Sequence, residues 1–348
     1  MFRSLLHRLG LYREEESRSK TRRVQHRHRV TLYLEALEGR LTPSVTFTVD
    51  DPGDDPAVVL TTGMTQGGNV TLRSAIQAAN ESTDDEITID LQNVNGTITL
   101  GSALAALNNN IDIVGPGRDN LTVRRSTAEN TDPFRIFTVN VNRECSIWNL
   151  TIANGYVPNA AGQLADNGGG IRNDGDLAVF NVNLVGNQAI NGGAIFSTGG
   201  LLVSNCNLYT NSSDSHGGAI YNAGQATIQN NTTITINSAG GNGGGVFNAL
   251  GSLTLSGIWI SENSATGNGG GVYNRGTTTA TDSTISMNSA TNGGGGYGAA
   301  NSSISATGCT IVDNMATGVG TALSWAPNMS YTVSNCTLNG TFTQDPNP

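Results

Sequence analysis

Between Asn167 and Asn314 one pattern is written six times with a step of about 25 residues, and few folds accommodate such a chain. Each copy opens on a glycine pair: GGGIRN from Gly168, GGAIFS from Gly192, GGAIYN from Gly217, GGGVFN from Gly243, GGGVYN from Gly269 and GGGGYG from Gly293. Each copy closes on asparagine, at Asn187, Asn211, Asn237, Asn263, Asn288 and Asn314, in steps of 24, 26, 26, 25 and 26 residues. Short β-type runs at this period, with no helical pattern inside, predict a solenoid in which each repeat is one turn.

Within a copy the apolar residues come in brief bursts, such as Ala219-Ile220-Tyr221, Ala226-Thr227-Ile228 and Thr233-Ile234-Thr235-Ile236. This predicts three short strands per turn joined by tight corners. Strands this short bury no core alone, but coils stacked at about 4.8 Å bond to the neighbours above and below. The expected fold is all-β, a parallel β-helix, with Ile171, Ile195, Ile220, Val246 and Val272 as one inward column. Asparagine is expected to serve the corners, because it tolerates the left-handed conformation and bonds to its own kind one coil away. The glycine pairs are expected there for the same conformational reason.

Chemistry at the surface is sparse. Residues 167 to 340 carry six acids (Asp174, Asp176, Asp214, Glu262, Asp282 and Asp313) and two arginines, Arg172 and Arg275, at unlike positions of the repeat. Asp174 and Asp176 alternate on one strand-like face beside Arg172, which is the best catalytic constellation available. It lacks the cross-coil column of a polysaccharide lyase or glycoside hydrolase, so no catalytic residue, metal ligand or cofactor is assigned. Asp50, Asp51, Asp54 and Asp55 are read as a solvated acidic turn, although four carboxylates so close could hold a hard cation. His216 stands at the start of a repeat and is read as a corner residue; its His-Gly pair resembles one element of polygalacturonases, whose paired aspartates and basic tripeptide are absent. One surface does stand out, since Phe196, Tyr221, Phe247, Tyr273 and Tyr297 follow the inward column on five successive coils. Alternation points them outward as a ladder, either stacked on itself or offered as a platform to sugar rings or a protein partner.

Charge and cysteine content narrow the setting. The net charge of −9 splits into residues 1 to 44, with ten Lys/Arg against five Asp/Glu, and the remainder, with eight Arg against 22 acids. An acidic body repels nucleic acid. No window approaches 18 apolar residues, so no membrane-spanning helix is expected, and the short stretch Leu5 to Leu11 is no ordinary secretory signal. Cys206, Cys309 and Cys336 share one place in the coil and Cys145 does not. Cys206 and Cys309 are four coils apart, about 19 Å, whereas Cys309 and Cys336 are neighbours at about 5 Å. The latter two could pair if oxidised, and stacked free thiols are the expected state.

The chain divides into a basic N-terminal segment (1–44), a cap (45–86), the β-helix (87–342, about nine or ten coils) and a polar tail (343–348). Asn69 to Asn80 reads as a helix, with Leu72, Ala75, Ile76 and Ala79 on one face, placed to cover the open first coil. Tyr156 to Asp166 is an insertion, as Asn154 to Asn187 spans 33 residues.

These segments carry three resemblances. LEALEGRLTPS, Leu34 to Ser44, resembles the LExLExR...PS sorting segment of large surface and secreted planctomycete proteins. The helix and the coils after it, with SIWNLTIANG at Ser146 to Gly155, resemble the CSLREA domain that precedes right-handed parallel β-helix repeats in bacterial surface proteins. Here Val70 replaces the family cysteine, and Thr71-Leu72-Arg73-Ser74 keeps the capping hydroxyl without the reciprocal Glu. The repeats are also similar to passenger repeats of polymorphic outer-membrane proteins. The resemblance, with the preference for right-handed crossovers, implies a right-handed coil. It also implies a non-catalytic secreted or cell-surface protein, structural or adhesive, meeting an extracellular polysaccharide or cell-surface protein; a pectate-lyase-like enzyme is the alternative.

Overall fold

The computed structural model describes residues 44–158 and 167–345. The basic segment with its sorting motif, most of the Tyr156 to Asp166 insertion and the last three residues lie outside the described residues. The rest is a parallel β-helix. Its strands fall into sheets of eleven (sheet I), ten (sheet II), seven (sheet III) and nine (sheet IV), every neighbour within a sheet coming from the adjacent coil. One complete coil runs Ile195–Ser197 (IV), Gly200–Ser204 (I), Asn207–Tyr209 (II) and Ser212–His216 (III). The expectation of three strands per turn is therefore corrected to four. The fourth is often only two residues, as at Ser238–Ala239, where a Ser-Ala pair has too little periodicity to be read in sequence.

The inward column is as expected: Ile171, Ile195, Ile220, Val246 and Val272 stand in register and are buried. Toward the last coils the inward residues shrink to Ala280, Ala306, Gly295 and Gly296, leaving an apolar cavity of about 40 Å³. Its walls are aliphatic apart from Thr278 and Cys309.

The cap is more integrated than its sequence implied. Ser44–Thr48 pairs in parallel with Glu86–Asp90, so sheet I gains its first strand from the cap segment. Helix α1, Leu72–Glu81, buries Leu72, Ala75, Ile76 and Ala79 in the common core. Thr71 is its N-cap, and Ser74 fills the reciprocal role left open by the missing Glu: the Ser74 N–H donates to Thr71 Oγ1 (3.1 Å), and the Thr71 N–H to Ser74 Oγ (2.9 Å). A serine reaches because the two backbones already lie close. The acidic turn is solvated at Asp50 and Asp55, as expected, but it is also tied to the helix. Asp54 receives two bonds from Arg73 (2.9 and 3.0 Å), and Asp50 Oδ1 accepts the Val70 N–H at 2.7 Å. Arg73 goes on to bond the carbonyls of Ser102 and Ala103, tying the helix to the first coils. At the far end Phe342–Gln344 pairs with Leu323–Trp325, and the rings of Trp325, Tyr331 and Phe342 pack together.

The asparagine column occupies another backbone state than expected. The left-handed residue is the one before it, with φ of 53° at Thr210, 56° at Ile236, 57° at Glu262, 55° at Met287 and 56° at Asp313. The asparagine itself is buried and bonds along the axis. Asn211 donates its backbone N–H (2.9 Å) and a side-chain N–H (3.0 Å) to Asn237 Oδ1, and its other side-chain N–H to the Leu184 carbonyl (2.9 Å). The same bonds repeat from Asn187 to Asn288. Of the glycine pair, the first is left-handed (Gly217, φ 67°) and the second marks a close approach of coils, since a Cβ on Gly218 would lie 2.2 Å from the Gly244 carbonyl oxygen.

Two substitutions test this account. Asn237→Ala orphans the Asn211 N–H groups and the Leu208 carbonyl, and should cost roughly 3–6 kcal/mol in urea unfolding, against less than about 0.5 kcal/mol for the exposed control Ser264→Ala. Ile236→Asn should raise stability by about 1 kcal/mol, because a β-branched residue is held left-handed there with its side chain in solvent.

Candidate functional site

The five aromatic residues singled out in the sequence form the ladder expected of them. Phe196, Tyr221, Phe247, Tyr273 and Tyr297 stand in register on successive strands of sheet IV. Their ring centroids are 5.0, 4.9, 5.0 and 5.4 Å apart, with interplanar angles from 21° down to 2°. That spacing is the separation of the coils, so each ring stacks as a consequence of backbone pairing. Arg172, one strand earlier in the same column, places its guanidinium 5.7 Å from the Phe196 centroid. At the other end Tyr297 Oη donates to Asp345 Oδ2 at 3.1 Å.

This geometry decides what the ladder offers a ligand. Ring faces are occupied by neighbouring rings, and Phe196 (9 % exposed), Phe247 (2 %) and Tyr297 (2 %) are nearly covered. Only the edges and hydroxyls of Tyr221 and Tyr273 remain half-exposed, and burial raises both phenols above their ordinary pKa. A sugar ring needs an open aromatic face, so the column works chiefly as a stacked spine.

Beside the spine lies a second polar ladder that sequence reading missed. Asn167, Asn191, His216, Asn242, Asn268 and Asn292, each directly before a glycine pair, bond from coil to coil. Their spacing was present in the sequence but was overshadowed by the glycines. A third column follows the aromatic one, with Asn222 donating to Asn248 and Asn248 to Asn274, both at 2.8 Å.

His216 is explained by this arrangement. It takes an asparagine's place in the ladder, in register with Asn191, and its Nδ1 accepts the Asn242 N–H at 3.1 Å. The ring lies flat against Phe247, with centroids 4.5 Å apart. An acceptor nitrogen carries no proton, and burial, then the Arg275 charge, lowers its pKa from 6.5. The neutral form is thus favoured by folding, so its stabilisation is complete above about pH 6.5 and is lost as pH falls through the lowered folded pKa. His216→Asn should keep the ladder and flatten this part of the stability profile, as read from melting temperatures between pH 7.5 and 5.

The acids do not converge. Asp174 and Asp176 are corrected from one strand face to the two sides of a corner at Gly175. Arg172 Nε bonds Asp174 Oδ2 at 2.6 Å, while Asp176 Oδ1 accepts the Gly200 N–H at 3.1 Å. Glu262, Asp282 and Asp313 fill left-handed corner positions. Among the described residues no group of three or more His, Cys, Asp and Glu is arranged to hold a metal ion. The four cysteines are free thiols: the Cys309 N–H donates to Cys336 Sγ at 3.3 Å, and burial pushes Cys206 up to about 12, away from reactivity.

No family model matches the chain, and no curated protein matches it. No helix among the described residues is long and apolar enough to cross a membrane.

Proposed function

We propose that this chain is a non-catalytic rod, secreted or displayed at a cell surface, with a structural or adhesive role, of the kind implied by its resemblance to right-handed CSLREA-type β-helix proteins. One observation carries the reading: the ordered polar side chains of the repeats are directed along the axis, each bonded to its counterpart one coil away, instead of converging across coils on a shared point. Catalysis by a lyase or hydrolase requires such convergence, an acid and a base within hydrogen-bond reach of one substrate bond. Ladders of this type do a different job. They raise the cost of separating coils and keep a long surface rigid, which suits load-bearing or display. The acidic body is consistent with an extracellular partner that is neutral or basic and disfavours nucleic acid.

Incubation of the purified protein with a panel of neutral and uronic-acid polysaccharides tests this. No reducing ends and no unsaturated uronates should appear above the buffer blank. Release of either product, abolished by Asp174→Asn or Asp176→Asn, would establish the enzyme in its place. Protease accessibility on intact source cells checks the surface location.

A further inference from the structure

The outward face of sheet II carries an exposed tryptophan among uncharged polar side chains. Its rungs Asn207–Tyr209, Thr233–Thr235, Trp259–Ser261 and Thr284–Ser286 are in strict register, and the outward side chains form two columns. One column reads Asn207, Thr233, Trp259, Thr284; the other reads Tyr209, Thr235, Ser261, Ser286. All eight side chains are uncharged, and six bear a hydroxyl group. Trp259 is 45 % exposed. Unlike Trp148 and Trp325, it has no ring partner among the described residues. Tyr209, half-exposed, likewise has none, and lies two rungs away on the other column, roughly 12 Å from Trp259 by strand spacing and rise. The left-handed corners that bound this face carry the carboxylates of Glu262 and Asp282, the exposed side chains of Ile236 and Met287, and at Asn205 a carbonyl that accepts from the Arg118 guanidinium at 2.9 Å.

We propose that this face, centred on Trp259 with Tyr209, Thr233, Thr235, Ser261 and Thr284, is a binding platform for a neutral polysaccharide chain. The inference deepens the adhesive reading above and rests on it. A sugar ring presents an apolar face of C–H groups and a rim of hydroxyls. The C–H face packs on the electron-rich face of an indole or phenol, and the rim exchanges hydrogen bonds with Thr and Ser hydroxyls, which both donate and accept; Thr233 Oγ1, whose proton goes to Asn207 Oδ1 at 3.0 Å, serves as an acceptor. Tyr209 and Trp259, two rungs apart on a rigid support, can engage separate rings of one extended chain, with Thr235 and Thr233 between them. The acidic corners disfavour anionic polymers. A protein partner would call for a contiguous apolar centre, whereas the exposed Ile236 and Met287 stand in the corner column on either side of the Glu262 carboxylate, and Trp259 lies in the far column among threonines.

Retention on insoluble cellulose and chitin, with soluble polygalacturonate as the anionic control, tests the proposal using the full chain, Trp259→Ala and Trp259→Phe. The full chain should bind at least one of the neutral polymers and ignore polygalacturonate. Trp259→Ala should weaken binding about tenfold or more, and Trp259→Phe should retain most of it, because the ring is what the sugar contacts. Unchanged melting temperatures would confirm that the exposed substitutions leave the fold intact. Equal binding by Trp259→Ala, preference for polygalacturonate, or no retention on either neutral polymer would each overturn the platform. A Tyr221→Ala/Tyr273→Ala variant separates this from the wider reading: binding lost there but kept in Trp259→Ala would leave the adhesive role standing on the aromatic spine. Product release would remove the non-catalytic role whatever Trp259 does.

Discussion

Everything in this molecule depends on the parallel pairing of one coil with the next. Strands of two to five residues have almost no independent stability, and the register that pairs Ile195 with Ile220 and Ile220 with Val246 gives each backbone group its partner. Once that register is set, any residue type repeated at the coil period is brought onto itself at the strand spacing. Amides meet amides, rings meet rings, and thiols meet thiols. Side-chain ladders therefore follow from backbone pairing, and in turn hold the register, because a slip of one residue would bury Tyr221 and expose Ile220.

The buried asparagines show how this economy works. An isolated amide in an apolar interior is costly, yet Asn211 satisfies both side-chain N–H groups and lends its own oxygen to Asn187. The corner residue just before it is freed from any side-chain requirement. Thr, Ile, Glu, Met and Asp all occur there in the left-handed region, at a conformational cost that the ladder offsets. His216 shows the tolerance and its limit: a neutral imidazole substitutes for an amide as an acceptor, and a protonated one does not.

The same logic separates structural from available side chains. Groups that face along the axis are used by the neighbouring coil, as are the faces of the Phe196 to Tyr297 ladder. What is left for a partner is a position where the repeat is interrupted. Trp259 interrupts a threonine column, so its ring has no counterpart to stack on, and that irregularity leaves it the more exposed of the two aromatics on its face.

The sequence by itself determined the parallel β-helix, the inward Ile/Val column and the aromatic ladder through the repeat, and the helix over the first coil through its own apolar spacing, because period and alternation are visible in one dimension. Only the tertiary structure decided the rest. The fourth strand is too short to show a period, Ser74 completes the cap because backbones approach, and Asp50 and Asp54 are bonded because a helix passes beside them. The asparagine column's true conformation lay one residue from the reading, since a corner's φ is set by coil-to-coil bonding. Trp259 and Tyr209 were passed over for a related reason. A residue that breaks a pattern carries no periodic signal, and its exposure is known only when the neighbours on either side are in place.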